Sequence, residues 1–372
     1  MKYERNYNSL SLADLFKLVE DPRSPQGKVY PLPFLLNSTQ CAILSGAKGF
    51  RQVGEWIEAQ SFEKLKLMGN VFHRKPVEST LRKCFKKLNI ASFKELIYLW
   101  SEESTSKKND CEAIAIDGKT LRGSRNRDNR QPHILSGVIH GSGIVLSDLL
   151  VPNKKSEVQY IQPLLDDIEI KGKIITADAL HTIKEFGQYL TGREADYVFI
   201  AKRNKKNLID RLKILDIKSN FNSYYETEEK AHGRIENRKV YLLSELPWWI
   251  NFKSAEQAFI IERSRVNVKS EKIEAESHFG LTSLKAKNAD AQKILKTVRE
   301  HWTVENKAFH VRDRTMNEDQ STVRSGVLPE VMVALRNLAL NLFRMNKVEN
   351  VAREIRKCAL YPGKELKLIG IV

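Results

Sequence analysis

The sequence predicts an α/β protein in which a helical N-terminal region precedes a mixed α/β core. Three observations carry that expectation. Apolar residues recur at helical spacing over roughly the first 108 positions, short β-branched runs then alternate with helical segments, and an alternating stretch interrupts the core near residues 219–263.

Each element has its own signal. Leu12, Leu15, Phe16 and Val19 predict a first helix, with Asp21-Pro22 as its stop. Residues 31–44 read as a buried second helix, and Phe50, Val53, Trp56 and Ile57 mark a third. Residues 78–88 predict a short basic helix carrying Arg82, Lys83, Lys86 and Lys87, with Ser79 or Thr80 near its start. The polar segment 101–110 lacks apolar periodicity and reads as a linker. Beyond it, residues 112–117 form a first strand, and 134–140 and 144–150 pair around Gly141-Ser142-Gly143 as a hairpin. A helix over 156–168, a strand over 174–178, a helix over 183–190 and a strand over 197–201 complete the core. The insertion at 219–263 is strand-rich and contains Pro247-Trp248-Trp249. The helical period returns at 290–312, an apolar helix covers 331–343, and a short basic tail follows. The expected organisation is a helical domain over 1–108, a core over 109–345 and a tail over 346–372.

Charge supplies the first functional clue. The 372 residues hold 62 Lys plus Arg against 46 Asp plus Glu, a net charge of +16 that draws a protein to polyanions, nucleic acid first. No apolar run approaches the ~18 residues of a membrane span, and no basic amphipathic helix or lipidation signal stands out. The polar first ten residues argue against a secretory signal. Cys41, Cys84, Cys111 and Cys358 are scattered without metal-like spacing and read as reduced thiols of a cytoplasmic protein.

Three carboxylates stand out. Val298, Trp302, Glu305 and Phe309 share one stripe of the helix near position 300. A carboxylate on a core-facing stripe costs several kcal/mol unless it is paired or metal-bound, and Arg312, seven residues on, offers a structural ion pair as the alternative. Asp117 and Asp178 each end a short apolar strand, where ligands collect in open α/β sheets. Either could instead serve as a turn or helix cap. Together with Glu305, in a basic protein, they make a set suited to hard divalent cations and phosphodiester chemistry.

The motifs that hold these residues resemble a known family. IAIDGKTLRGS (114–124), ITADALHT (175–182), HWTVEN (301–306) and HVRDRTMNED (310–319) are similar to those of the ISAs1 group of DDE transposases, IS4-related enzymes that include the H-repeat-associated proteins of bacteria. DPRSPQGKVYPLP (21–33) and AHGRIENR (231–238) extend the likeness over nearly the whole chain. The resemblance implies an RNase H-like catalytic core with a β-strand insertion between the second Asp and the Glu, preceded by a helical associated domain. It implies Asp117, Asp178 and Glu305 as catalytic and metal-binding residues, with two Mg²⁺ per site and Mn²⁺ as a substitute. Asn306 and His181 match flanking positions. Where IS4-type enzymes carry Tyr, Arg and Lys around the Glu, this chain has Val298, His301 and Arg312, so only the basic character of the last is kept.

The function so implied is metal-dependent hydrolysis of a phosphodiester at insertion-element ends and transfer of the 3′-OH into target DNA. The partner is double-stranded DNA, held by a homodimer in the bacterial cytoplasm at the nucleoid. Eight Lys or Arg against two Glu in residues 61–90 make Arg82, Lys83, Lys86 and Lys87 candidate DNA contacts. Lys119 and Arg122 are expected to face DNA, Lys202 and Arg312 to stabilise charge on the reacting phosphate, and His232, Arg234 and Arg238 to grip terminal nucleotides from the insertion. Trp248 and Trp249 read either as core or as stacking platforms for an unpaired base. Two other readings stay open: a DNA-binding relative without catalysis, and a stand-alone metal-dependent nuclease.

Overall fold

The computed structural model describes residues 10–106, 112–125, 131–202, 205–231 and 233–372. Its helical N-terminal part comprises α1 (Leu12–Lys17), α2 (Leu32–Leu44), α3 (Phe50–Ala59), α4 (Phe62–Leu67), α5 (Glu78–Phe85) and α6 (Ile90–Ser106). The core follows as β1 (Ala113–Thr120), β2 (His133–Ile139), β3 (Val145–Val151), α7 (Glu157–Asp166), β4 (Ile174–Ala177), α8 (Lys184–Gly192) and β5 (Asp196–Ala201). Next come α9 (Lys206–Ile214), α10 (Ile217–Asn220), β6 (Ser223–Ala231), β7 (Arg234–Ser244), β8 (Gln257–Asn267) and β9 (Ile273–Thr282). The chain ends with α11 (Ala291–His301), two π-helical turns over Val304–Phe309 and Val311–Thr315, α12 (Leu328–Met345), α13 (Val351–Leu360) and α14 (Lys364–Ile369). Among the described residues no helix is long and apolar enough to cross a membrane.

Strand order along the sheet is β3-β2-β1-β4-β5-β9-β8-β7-β6. The first five strands, with β1, β4 and β5 parallel and β2-β3 an antiparallel hairpin, form the expected RNase H-like core. At the hairpin, Gly141 and Gly143 take φ of +68° and +76°, which L side chains rarely adopt.

Two compact units partition the chain. One holds residues 1–111, 118–160 and 304–372, the other 112–117 and 161–303. In the first, Ser11 caps α1 by accepting from the Asp14 N–H at 3.1 Å, and Leu12, Leu15 and Phe16 are fully buried. Each such side chain contributes ~1.5–3 kcal/mol. The helix ends at Lys17, before the Asp21-Pro22 pair. The segment expected as a linker is helical to Ser106, and residues 107–111 lie outside the description. The expected basic tail forms α13 and α14, because Val351, Ile355, Cys358, Leu366 and Ile369 give it a buried face.

In the second unit, the inserted strands β6–β9 pair antiparallel and join the sheet where β9 pairs with β5. They extend beyond the expected 219–263: the charged half of β9, Ile273 to Glu276, is exposed and hides its strand period. α11 packs Ile294 and Leu295 into a cluster with Ile174, Val198, Val240 and Phe259. That packing holds α11 against β4 and β5.

Candidate active site

β1 and β4 run parallel in a register that pairs Ile114 with Ile175, Ala115 with Thr176, and Ile116 with Ala177. Asp117 and Asp178 are the next residues on the two strands, so they share one level and one face at strands ~4.7–4.9 Å apart. Ile114, Ala115 and Ile116 are wholly buried, which anchors the half-buried Asp117 at a rigid strand end.

Asp178 is half-buried, and its Oδ1 accepts from the Ala179 N–H at 2.7 Å and from Lys202 Nζ at 2.9 Å. It is therefore also the cap of the turn Ala179–His181. Burial pushes its carboxyl up, but the Lys202 hydrogen bond and charge and the Ala179 N–H outweigh that and hold it below the ordinary range.

Two residues back along β4, on the same face, Thr176 Oγ1 shares a 2.8 Å hydrogen bond with His301 Nδ1 at the end of α11. Burial lowers the His301 pKa to about 4 against the opposing pull of Asp178, with Lys202 adding to the lowering. The imidazole is thus neutral near pH 7.

Glu305 belongs to the first π-helical turn, in which Val304, Ala308 and Phe309 are buried and Glu305 is exposed. The expected core-facing stripe is corrected here. A π-helix takes more residues per turn than the 3.6 behind the stripe, so the helix is re-phased after α11, and Trp302 is 55% exposed. No group of three or more His, Cys, Asp or Glu among the described residues stands arranged as a metal site. The two strand-end carboxylates nonetheless fit a hard cation: both are oxygen donors, and Asp178 already holds the Lys202 ammonium.

Comparison with known proteins decides the family. The chain matches the Transposase DDE domain family over residues 109–342 and the DDE_Tnp_1-associated family over residues 13–101. It belongs to the DDE transposase family. It is 30% identical over 366 residues to "Putative transposase YncI" of Escherichia coli O157:H7, covering 94% of this chain and 92% of that one. The "H repeat-associated putative transposase YhhI" of Escherichia coli (strain K12) is 28% identical over 362 residues, covering 94% and 95%. A chain in a cryo-EM structure of the piggyBac transposase synaptic complex with hairpin DNA aligns at 11% identity and TM-score 0.48, over 99% of this chain and 78% of that one.

In this DDE-family chain the basic residues singled out from sequence differ in burial. Arg122, Lys202, Arg234, Lys83, Lys86 and Lys87 are exposed. Arg82 is half-buried, 2.6 Å from Glu78 and over the Phe50 ring. Lys119, Arg238 and Arg312 were expected to face DNA, and this is corrected: all three are buried among carboxylates. Arg238 pairs with Glu236 at 2.9 Å and Glu229 at 3.3 Å. Lys119 bonds Asp313 and, at 2.6 Å, Glu318. Arg312 is 0% exposed, with Nε 3.2 Å from Glu318 and Nη1 donating to Asn337 Oδ1 at 2.6 Å. Arg336 approaches Glu318 at 3.5 Å. Burial would raise the Glu318 carboxyl, yet Arg312, Lys119 and Arg336 together bring it to about 2. His232 lies outside the described residues.

Sequence reasoning missed Thr176, Glu318 and Arg336. Thr176 was within reach, since it lies two residues before Asp178 on a strand and so shares its face. Nothing local marked Glu318 and Arg336 as partners of Arg312.

Proposed function

We propose that this DDE-family transposase hydrolyses a phosphodiester at each end of an insertion element of the ISAs1 group and transfers the freed 3′-OH into target DNA. The observation that carries the reading is the pair Asp117 and Asp178, at one level on the carboxyl ends of adjacent parallel strands. Asp117, Asp178 and Glu305 would hold two Mg²⁺, with Mn²⁺ as a substitute; Glu305 enters from its place in the HWTVEN motif. Such ions, when bound, lower the pKa of an attacking water and offset charge on the leaving oxygen.

The chain's own residues do the rest. Asp178 is already ionised at neutral pH, so it offers its oxygens without first losing a proton. Lys202 holds the Asp178 carboxylate in place and supplies positive charge where phosphate oxygens approach. Neutral His301, tied to Thr176, adds no charge to compete with a cation. Arg122, Arg234, Lys83, Lys86 and Lys87 would contact the DNA backbone, the last three on the helical domain over residues 1–108. Two copies would act together, because two element ends must be joined to one target.

The test is cleavage of a duplex carrying a flanked element end, with Mg²⁺ and with EDTA, by wild type and Asp117→Asn. Metal-dependent cuts at the end, lost in the variant, are expected. Equal cutting by the variant, or cutting in EDTA, would refute the assignment. Folded wild type that binds the duplex without nicking it would favour a non-catalytic relative.

A further inference from the structure

Within the second unit, a cleft of about 540 Å³ opens between the start of α8, the start of α9 and the turn Trp248–Ile250. Its size is that of a ligand site. α8 follows β4 and α9 follows β5, so the cleft lies beyond the carboxyl ends of two adjacent parallel strands. Thr182 Oγ1 donates to Ile200 O at 2.9 Å and joins the two walls. Arg211 Nη1 donates to Ile250 O at 3.3 Å and holds the turn in place.

The lining is cationic. Lys184, Lys205, Lys206 and Arg211 line it, and among the described residues Glu185 is its single carboxylate. Among the described residues no carboxylate forms an ion pair with Lys184, Lys205 or Lys206, whereas Lys202, Lys218 and Arg238 in the same unit are each paired. Burial lowers the Lys205 pKa, and the Glu185 charge nearby offsets only part of that. In addition, α8 and α9 both begin at the cleft with no side-chain cap on their first-turn N–H groups.

We propose that this cleft is a phosphate-binding subsite that grips the backbone of a DNA strand beside the Asp178 strand end. The inference rests on the DNA-processing reading above. It adds a site: Thr182 and Lys205, which line the cleft, belong to the connections that leave β4 and β5 just after Asp178 and Lys202. The turn at its rim carries Trp248, 90% exposed, as an apolar edge to that path.

The experiment is fluorescence anisotropy of a labelled duplex with the full chain in EDTA, across a salt series. Each phosphate contact removed lowers the slope of log K against log[salt] by about 1. Lys205→Ala/Lys206→Ala should therefore lower the slope by about 2 and weaken low-salt binding at least about tenfold. Lys205→Arg/Lys206→Arg should restore binding, and Glu185→Gln should tighten it. Lys285→Ala/Lys287→Ala, two exposed lysines outside the cleft, should leave the slope nearly unchanged. Equal losses from the two alanine pairs would overturn the proposal, as would no loss from the first. Saturable binding of pyrophosphate that displaces the duplex would reassign the cleft to a free phosphate ligand and also overturn it. Wild type with no affinity for any duplex would instead overturn the DNA reading itself.

Discussion

Glu318→Gln isolates the buried charge cluster of the first unit. The side chain is 1% exposed and faces Lys119 at 2.6 Å, Arg312 at 3.2 Å and Arg336 at 3.5 Å. Glutamine keeps the shape and removes the charge, so the packing change is small. The carboxyl falls from 4.5 to about 2 on folding, and at ~1.4 kcal/mol per pKa unit that is worth ~3 kcal/mol at pH 7. The loss should reach or exceed that figure, since Arg312 and Arg336 lose their carboxylate partner, Lys119 keeps only Asp313 and Asp319, and a broken buried pair typically costs ~3–5 kcal/mol. A depressed carboxyl stabilises fully above its unfolded pKa and loses that effect as pH falls through the folded one. The gap between wild type and variant should thus shrink as pH falls below 4.5, to roughly half its pH 7 size near pH 3. Urea denaturation of both proteins at several pH values measures it. Coincident unfolding curves at pH 7 would refute the assigned role of Glu318.

Gly118→Ala should destabilise by ~2 kcal/mol or more, because a Cβ there would lie 2.5 Å from both Glu157 Oε1 and His133 Nε2; thermal unfolding checks it. His301 should make folding pH-dependent: its pKa drops from 6.5 to about 4, so the unfolded chain binds the extra proton and stability falls as pH drops through that window. His301→Gln should remove that slope, worth up to ~3 kcal/mol, which denaturation at pH 7 and pH 4.5 would show. Lys202→Met should return the Asp178 carboxyl toward or above its ordinary range, since burial then acts with less opposition; NMR titration of that carboxyl follows it.

The periodicity that located the core was legible because strand and helix periods are local. The hairpin needed only Gly141 and Gly143, and β1 and β4 needed only apolar runs ending at Asp117 and Asp178. The tail was misread for the opposite reason. Its charge dominates the composition, while the few residues that bury it, such as Ile355 and Leu366, are spread over two short helices.

Arg312 and Glu305 show where one-dimensional reasoning stops. Seven residues apart on an ideal α-helix, they would face the same side, and one could partner the other. The π turns of 304–315 break that relation, so Glu305 is exposed while Arg312 is buried against Asn337 and Glu318. A wide turn costs helical geometry, and such turns persist where the surroundings demand them. Here the demand is visible: Arg312 reaches Asn337, whose Nδ2 donates to Asp148 Oδ2 at 3.0 Å, and Asp148 pairs with Lys94 at 2.7 Å. A chain of buried polar contacts from Glu318 to Lys94 therefore sets the rotation of the segment that carries Glu305. A cation at this position therefore serves the fold by fixing that rotation, and its burial leaves it no face toward solvent.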